Sequence, residues 1–204
     1  MRNYLMEFIG AMFLVMAIGL TGNPLAIGAM LMVMIYMGGH VSGAHYNPAV
    51  TLSVFLRGKL KSKEIPGYMI SQVLGAFAGA AIVYYFIGKT FAPAPGTSVL
   101  FWQAVLAEAL FTFALCSVVL SVATAKKMAG NYVYGLAIGF TVLASAYAVG
   151  SISGGAFNPA VALGPMLFDM FMGGALISNL GIYLIGPFAG SIAAAYVFKY
   201  LNQE

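Results

Sequence analysis

The residues in this 204-residue chain whose types and spacing could do chemistry are two copies of one triplet, Asn47-Pro48-Ala49 and Asn158-Pro159-Ala160. Asn is a strong helix N-cap and Pro is favoured at the first helical position. Each triplet therefore reads as a helix start, with the positive end of the helix dipole just ahead of it. Once the cap engages the backbone N–H groups, the Asn amide has donors left to offer. Two such ends facing one cavity would hold the oxygen of a neutral solute and repel cations, a recognised use of half-helix dipoles. The segments just before each Asn, 43–46 and 154–157, cannot be helical and also feed a cap. Their carbonyls are expected to form a ladder of acceptors, with Gly43, Ala44, His45, Gly154 and Ala156 as its members.

Other reactive groups are few. His40 and His45 lack the further His or Cys partners of a metal cluster, and the single Cys116 excludes a disulfide framework or thiolate zinc site. No nucleophile–base pair that would make an enzyme is evident. Glu7 and Glu108 lie inside apolar runs, where an ionisable group is costly and usually functional. Two roles are open for them: a proton relay, or a brace accepting hydrogen bonds from backbone N–H groups of an adjacent loop. His45 is either a lining group or a structural one, His40 reads as a loop anchor, and Gln72 as a partner for a loop carbonyl.

The elements that must position these residues follow from hydropathy. With 62% hydrophobic and 7% charged residues and a mean hydropathy of +0.95, the chain cannot coat a soluble surface, for which roughly a quarter charged residues is usual. Uncharged apolar runs place spans at about 4–20, 24–39, 65–87, 101–125, 132–149 and 178–200. Two apolar pieces remain, 47–56 and 158–168. At about 1.5 Å per residue neither crosses a hydrocarbon layer about 30 Å thick. They are read as re-entrant half-helices, which are tolerated only where protein or a water-filled cavity surrounds them. The Arg2-led start is read as an uncleaved first helix, because no clear small-x-small cleavage site follows it. The net charge of +4 would suggest nucleic acid in a soluble chain. Here its placement matters more, and no nucleic-acid partner is expected. Arg2, Arg57, Lys59, Lys61, Lys63, Lys126, Lys127 and Lys199 fall on one side of six alternating spans, and only Lys89 on the other. That is the positive-inside pattern, so a multi-pass plasma-membrane protein with both termini cytoplasmic is expected.

The chain also repeats itself. Ser42-Gly43-Ala44-His45-Tyr46-Asn47-Pro48-Ala49-Val50 returns as Ser153-Gly154-Gly155-Ala156-Phe157-Asn158-Pro159-Ala160-Val161, displaced by 111. Glu7 matches Glu108, and Tyr68, Gln72 and Gly75 match Tyr183, Pro187 and Gly190. Each half holds three spans, an odd number, so the halves (about 1–95 and 96–204 of a single domain) are inverted. In inverted repeats the site lies at the midplane, where broken helices meet. Gly75-x-x-x-Gly79 and Gly186-x-x-x-Gly190 are small-xxx-small pairs for close helix packing.

With both Asn-Pro-Ala copies, Ser42–Thr51, Leu163-Gly164-Pro165 and Ala107-Glu108-Ala109-Leu110-Phe111 in view, the chain resembles the aquaporin / major intrinsic protein family from about Glu7 to Tyr196. The resemblance implies an all-α hourglass of six transmembrane helices and two re-entrant half-helices. It also implies a homotetramer with one pore per subunit, no cofactor, and passive flux of water or small uncharged solutes. It favours the brace for Glu7 and Glu108. Water-selective members build their outer constriction from an aromatic, a His and an Arg. Carried over, those positions are Ile27, Ala146, Gly155 and Val161, none of them charged or aromatic, and the second half holds no Arg at all. Ala162 stands where glycerol facilitators carry Asp. A widened, apolar outer mouth admitting glycerol, urea, ammonia or metalloid acids is the expectation, unless Phe157, Tyr147 or the Met30–Met37 region refills the space. The rivals are a coupled secondary transporter, which needs ion-coordinating carboxylates at the midplane, and a structural or adhesion role with a blocked pore.

Overall fold

The structure, a computed structural model, describes residues 1–202. Eight helices follow in order: α1 (Arg2–Thr21), α2 (Pro24–Ser42), α3 (Pro48–Leu56), α4 (Ile65–Ile87), α5 (Phe101–Thr124), α6 (Tyr134–Ser153), α7 (Pro159–Phe171) and α8 (Leu180–Asn202). All but α3 and α7 are long and apolar enough to cross a membrane, which makes this a six-span membrane protein.

Helices α2, α6 and α7 run on past the ends that the apolar runs mark. The second span continues through Gly38 and Gly39 to Ser42 and stops at Gly43, whose φ of 85° lies in the left-handed region and whose N–H bonds Gly39 O. A side chain at Gly38 would collide with the Tyr46 hydroxyl, so that glycine serves contact and not termination. The fifth span runs on to Ser153 in the same way and stops at Gly154, φ 90°, bonded to Gly150 O. The second half-helix extends to Phe171, because Asp169 O and Oδ2 catch the N–H groups of Gly174 and Leu176 and close its last turn.

The most extensive helix contacts are α1 with α4 and α5 with α8. Both run through the glycine pairs. A Cβ at Gly75 would strike the Phe8 carbonyl, and one at Gly190 would strike Ala109 O and lie 2.8 Å from Phe113 N. Lipid chains are as apolar as the helices, so such close approach, and not water exclusion, supplies the packing energy.

Gly190→Val is expected to cost about 1–3 kcal/mol by overpacking and to lower the melting temperature in detergent. Gly181→Ala, whose Cβ would meet nothing closer than the Phe101 ring at 3.5 Å, is the control expected to leave it unchanged. Equal effects would show that the α5–α8 approach is not the source.

Candidate functional site

The site is built at the two short segments that precede the half-helices. Both turn through left-handed backbone: φ is 51° at Ala44 and 50° at Tyr46 in one, 65° at Gly155 and 49° at Phe157 in the other. For a residue with a Cβ this costs about 1–2 kcal/mol. Buried carboxylates offset that cost. Glu7 Oε1 accepts from Ser42 Oγ at 2.6 Å and His45 N at 3.0 Å, and Glu7 Oε2 from Tyr46 N at 2.6 Å and Gln72 Nε2 at 2.7 Å. Glu108 repeats the first three bonds with Ser153 Oγ at 2.7 Å, Ala156 N at 3.0 Å and Phe157 N at 2.6 Å. A carboxylate only accepts, and here every neighbour donates. Tyr68 and Tyr183 hydroxyls donate to the carbonyls of Ser42 and Ser153 and hold the same corners. Gln72 therefore donates to Glu7 and to Thr51 Oγ1 (2.9 Å) instead of meeting a loop carbonyl.

With the segments fixed, the asparagines meet. Asn47 Oδ1 caps α3 through Ala49 N (2.8 Å) and Val50 N (3.4 Å), and Asn158 Oδ1 caps α7 through Ala160 N (2.9 Å) and Val161 N (3.4 Å). Asn47 Nδ2 donates to Phe157 O and Asn158 Nδ2 to Tyr46 O, each at 2.9 Å. The two helix tips are thus tied reciprocally. The Tyr46 and Phe157 carbonyls each accept one bond there, at the end of the segments whose other carbonyls are the expected acceptor ladder. Each amide carries two N–H donors, so one per Asn is left over.

Both asparagines border a cavity of about 500 Å³. Gly43, Ala44, His45, Gly154 and Ala156 border it too, as do Ile27, Ala146, Gly155 and Val161. Pro48, Ala49, Pro159 and Ala160 do not; all four are buried. A helix turns about 100° per residue, so a first turn shows its cap to the lumen and its next two residues to protein. Glu7 and Glu108 are fully buried and also off the cavity wall. Gly155 N–H is taken by Ser153 Oγ at 3.2 Å, leaving its carbonyl as the polar group it brings to the mouth.

A second cavity, about 840 Å³, is bordered by His40, Lys59, Glu64 and Asn131. It shares Gly43, His45, Val119, Ala123 and Tyr134 with the first, and these form the neck between them. His45 is both lining and structural: Nδ1 lies 3.2 Å from Thr51 Oγ1, and the ring packs on Tyr68 with centroids 5.0 Å apart. His40 stands exposed on the last turns of α2.

The suggested refilling groups are elsewhere. Phe157 is buried against Phe111, Tyr147 is 64% exposed, and none of Met30–Met37 that carries a thioether borders the cavity. Bulk enters instead from the connection 88–100, whose Phe91, Ala92, Pro93 and Ala94 line the wall. Sequence reasoning missed this segment, which has no helical or strand period to mark it. It also missed the role of Asp169, an acid on the outer side whose carboxylate bonds Thr90 and Leu176.

Six spanning helices around two half-helices joined at their caps, with a cavity that runs past that joint and, among the described residues, no in-span carboxylate on its wall, define a passive membrane channel. Both in-span glutamates are committed to the loops, which does not favour a coupled transporter. The chain belongs to the major intrinsic protein family, whose model matches residues 1–198; such proteins are channels and not enzymes. It is 37% identical over 188 residues to Aquaporin AqpM of Methanothermobacter marburgensis, covering 88% of this chain and 76% of that one. It is 32% identical to Glycerol uptake facilitator protein-like 6 of Lactiplantibacillus plantarum over 100% of both. In fold it matches the X-ray structure of the aquaglyceroporin from Plasmodium falciparum, with a TM-score of 0.86 at 24% identity over 97% of this chain and 94% of that one.

Glu108→Gln sets an amide NH2 against buried N–H donors, which is expected to cost about 1–3 kcal/mol. Melting temperature and water flux in proteoliposomes are both expected to fall. A variant with native stability and water flux but altered proton flux would show a relay instead.

Proposed function

We propose that the protein conducts water together with larger uncharged polar solutes, in the class of glycerol, urea, ammonia and metalloid acids, through an outer mouth that is apolar and carries no fixed charge. The observation that carries this reading is the wall itself. Ile27, Ala146, Gly155 and Val161, at the positions where water-selective relatives place their constriction, all border the one cavity, and none brings a charge or an aromatic ring. Val161 follows directly on the second triplet and is held by its N–H to Asn158 Oδ1, so its side chain stands next to the cap. The likeness to a glycerol uptake facilitator along the full length of both chains supports the same class of solute.

Selection then works in two stages. The outer mouth sorts neutral solutes by size, because pore diameter and lining donors decide what passes. The joint behind it removes ions: two helix N-termini and two amide donors favour a neutral oxygen and oppose a cation. Four copies, each with its own pore, in the plasma membrane with both termini cytoplasmic complete the proposal. Family membership supports the tetramer, and the clustering of basic residues supports the orientation.

Osmotic swelling of proteoliposomes tests this. Flux of glycerol or urea along with water is expected, and flux of water alone would contradict it. Val161→Arg is expected to reduce solute flux and any proton leak; unchanged values of both would mean that Val161 does not govern the mouth.

A further inference from the structure

One wall of the outer cavity comes from no spanning helix. The connection 88–100 contains neither helix nor strand and returns inward, so that Phe91 and the three residues after it border the cavity beside Ile18, Gly22 and Pro24. Among all the residues that border this cavity, Phe91 and Tyr134 are the Phe, Tyr or Trp residues, and Tyr134 belongs to the neck. Phe91 is therefore the large ring at the outer end.

Its placement is fixed from both sides. Thr90 Oγ1 donates to Asp169 Oδ1 at 2.6 Å, and the other oxygen of this buried carboxylate accepts from Leu176 N at 2.9 Å. One carboxylate thus pins two of the outer connections, the one before α5 and the one before α8. Further along, Gly96 N–H bonds Ile152 O at 3.0 Å, and Pro93 and Pro95 stiffen the stretch between. On the far side the ring lies against α1 at Gly19, where a Cβ would come within 2.5 Å of Cε1 and 2.6 Å of Cζ. The ring occupies the space that this missing side chain leaves.

We propose that Phe91 is the specificity-determining residue of the outer mouth, setting the size limit for uncharged solutes, and that Thr90, Asp169 and Gly19 position its ring. The inference deepens the reading of the mouth as a neutral size filter and rests on it. A ring pinned by its neighbours narrows the opening without charge, so it excludes by size alone. Its removal enlarges the opening, and crowding it from behind closes the opening.

Stopped-flow light scattering on proteoliposomes, with water, glycerol and a five-carbon polyol as probes, reads this directly. Phe91→Ala is expected to raise the polyol-to-water permeability ratio about threefold or more. Gly19→Ala is expected to lower it, and to lose that effect in the Phe91→Ala background, since coupled residues give non-additive changes. Thr90→Val is expected to move the ratio in the same direction as Phe91→Ala, with Thr90→Ser restoring it. Unchanged ratios in Phe91→Ala, or a Gly19→Ala effect of equal size in both backgrounds, would overturn the proposal. If the unaltered channel passes water alone, the permissive reading of the mouth falls by itself. Phe91 as the size filter is then upheld if Phe91→Ala admits glycerol and overturned if it does not.

Discussion

A backbone segment that is neither helix nor strand cannot sit at membrane depth unless its N–H and C=O groups find partners, because hydrocarbon offers none. This chain meets that constraint with two buried carboxylates. Glu7 and Glu108 gather the donors of the two segments preceding the half-helices, and through them hold three non-glycine residues in left-handed backbone. Once those turns are set, the capping asparagines fall opposite each other's segments, and each amide closes onto the other half. The remaining groups at the joint, its dipoles and its spare N–H donors, follow from that closure. An ionisable group buried in a membrane protein is usually taken as a site of transport chemistry; here its task is architectural, and neither glutamate borders the lumen.

The two halves share the brace and differ in what surrounds it. On one side of the joint, Gln72 and Thr51 extend the Glu7 network, and His45 both touches Thr51 and borders the neck. At the repeat-equivalent positions of the other half stand Pro187, Ala162 and Ala156, which add no polar side chain. The polar neck and the apolar outer mouth therefore arise from one folding plan whose copies diverged at a few side chains. In the function proposed above, chemical selectivity sits at the asparagine joint and the neck, whereas size selectivity sits at the outer wall.

Much of this was legible in the sequence, for physical reasons. A span announces itself because every residue in it must tolerate lipid, and the third, Ile65–Ile87, ends where the hydropathy ends. The half-helices are legible because Asn-Pro is a local capping signal, and the roles of Glu7 and Glu108 because the repeat copies them with Ser42 and Ser153. Features that depend on contact between distant segments stayed hidden. Gly38 reads as an ordinary glycine of the second span until Tyr46 is seen to need the space. Phe91 reads as an outer-loop residue until Thr90 is found bound to Asp169, 79 positions away. Which members of each triplet face the lumen was also hidden, since the helix turn that buries Pro48, Ala49, Pro159 and Ala160 leaves no mark in the spelling of the motif.

An experimental density map of the protein in lipid, at a resolution that separates side-chain amides, tests the central claim most directly. The account requires Asn47 Nδ2 and Asn158 Nδ2 to lie close to 2.9 Å from the Phe157 and Tyr46 carbonyls, with solvent density against both amides. Half-helix tips held apart, or both amides sealed from solvent by protein, would contradict it.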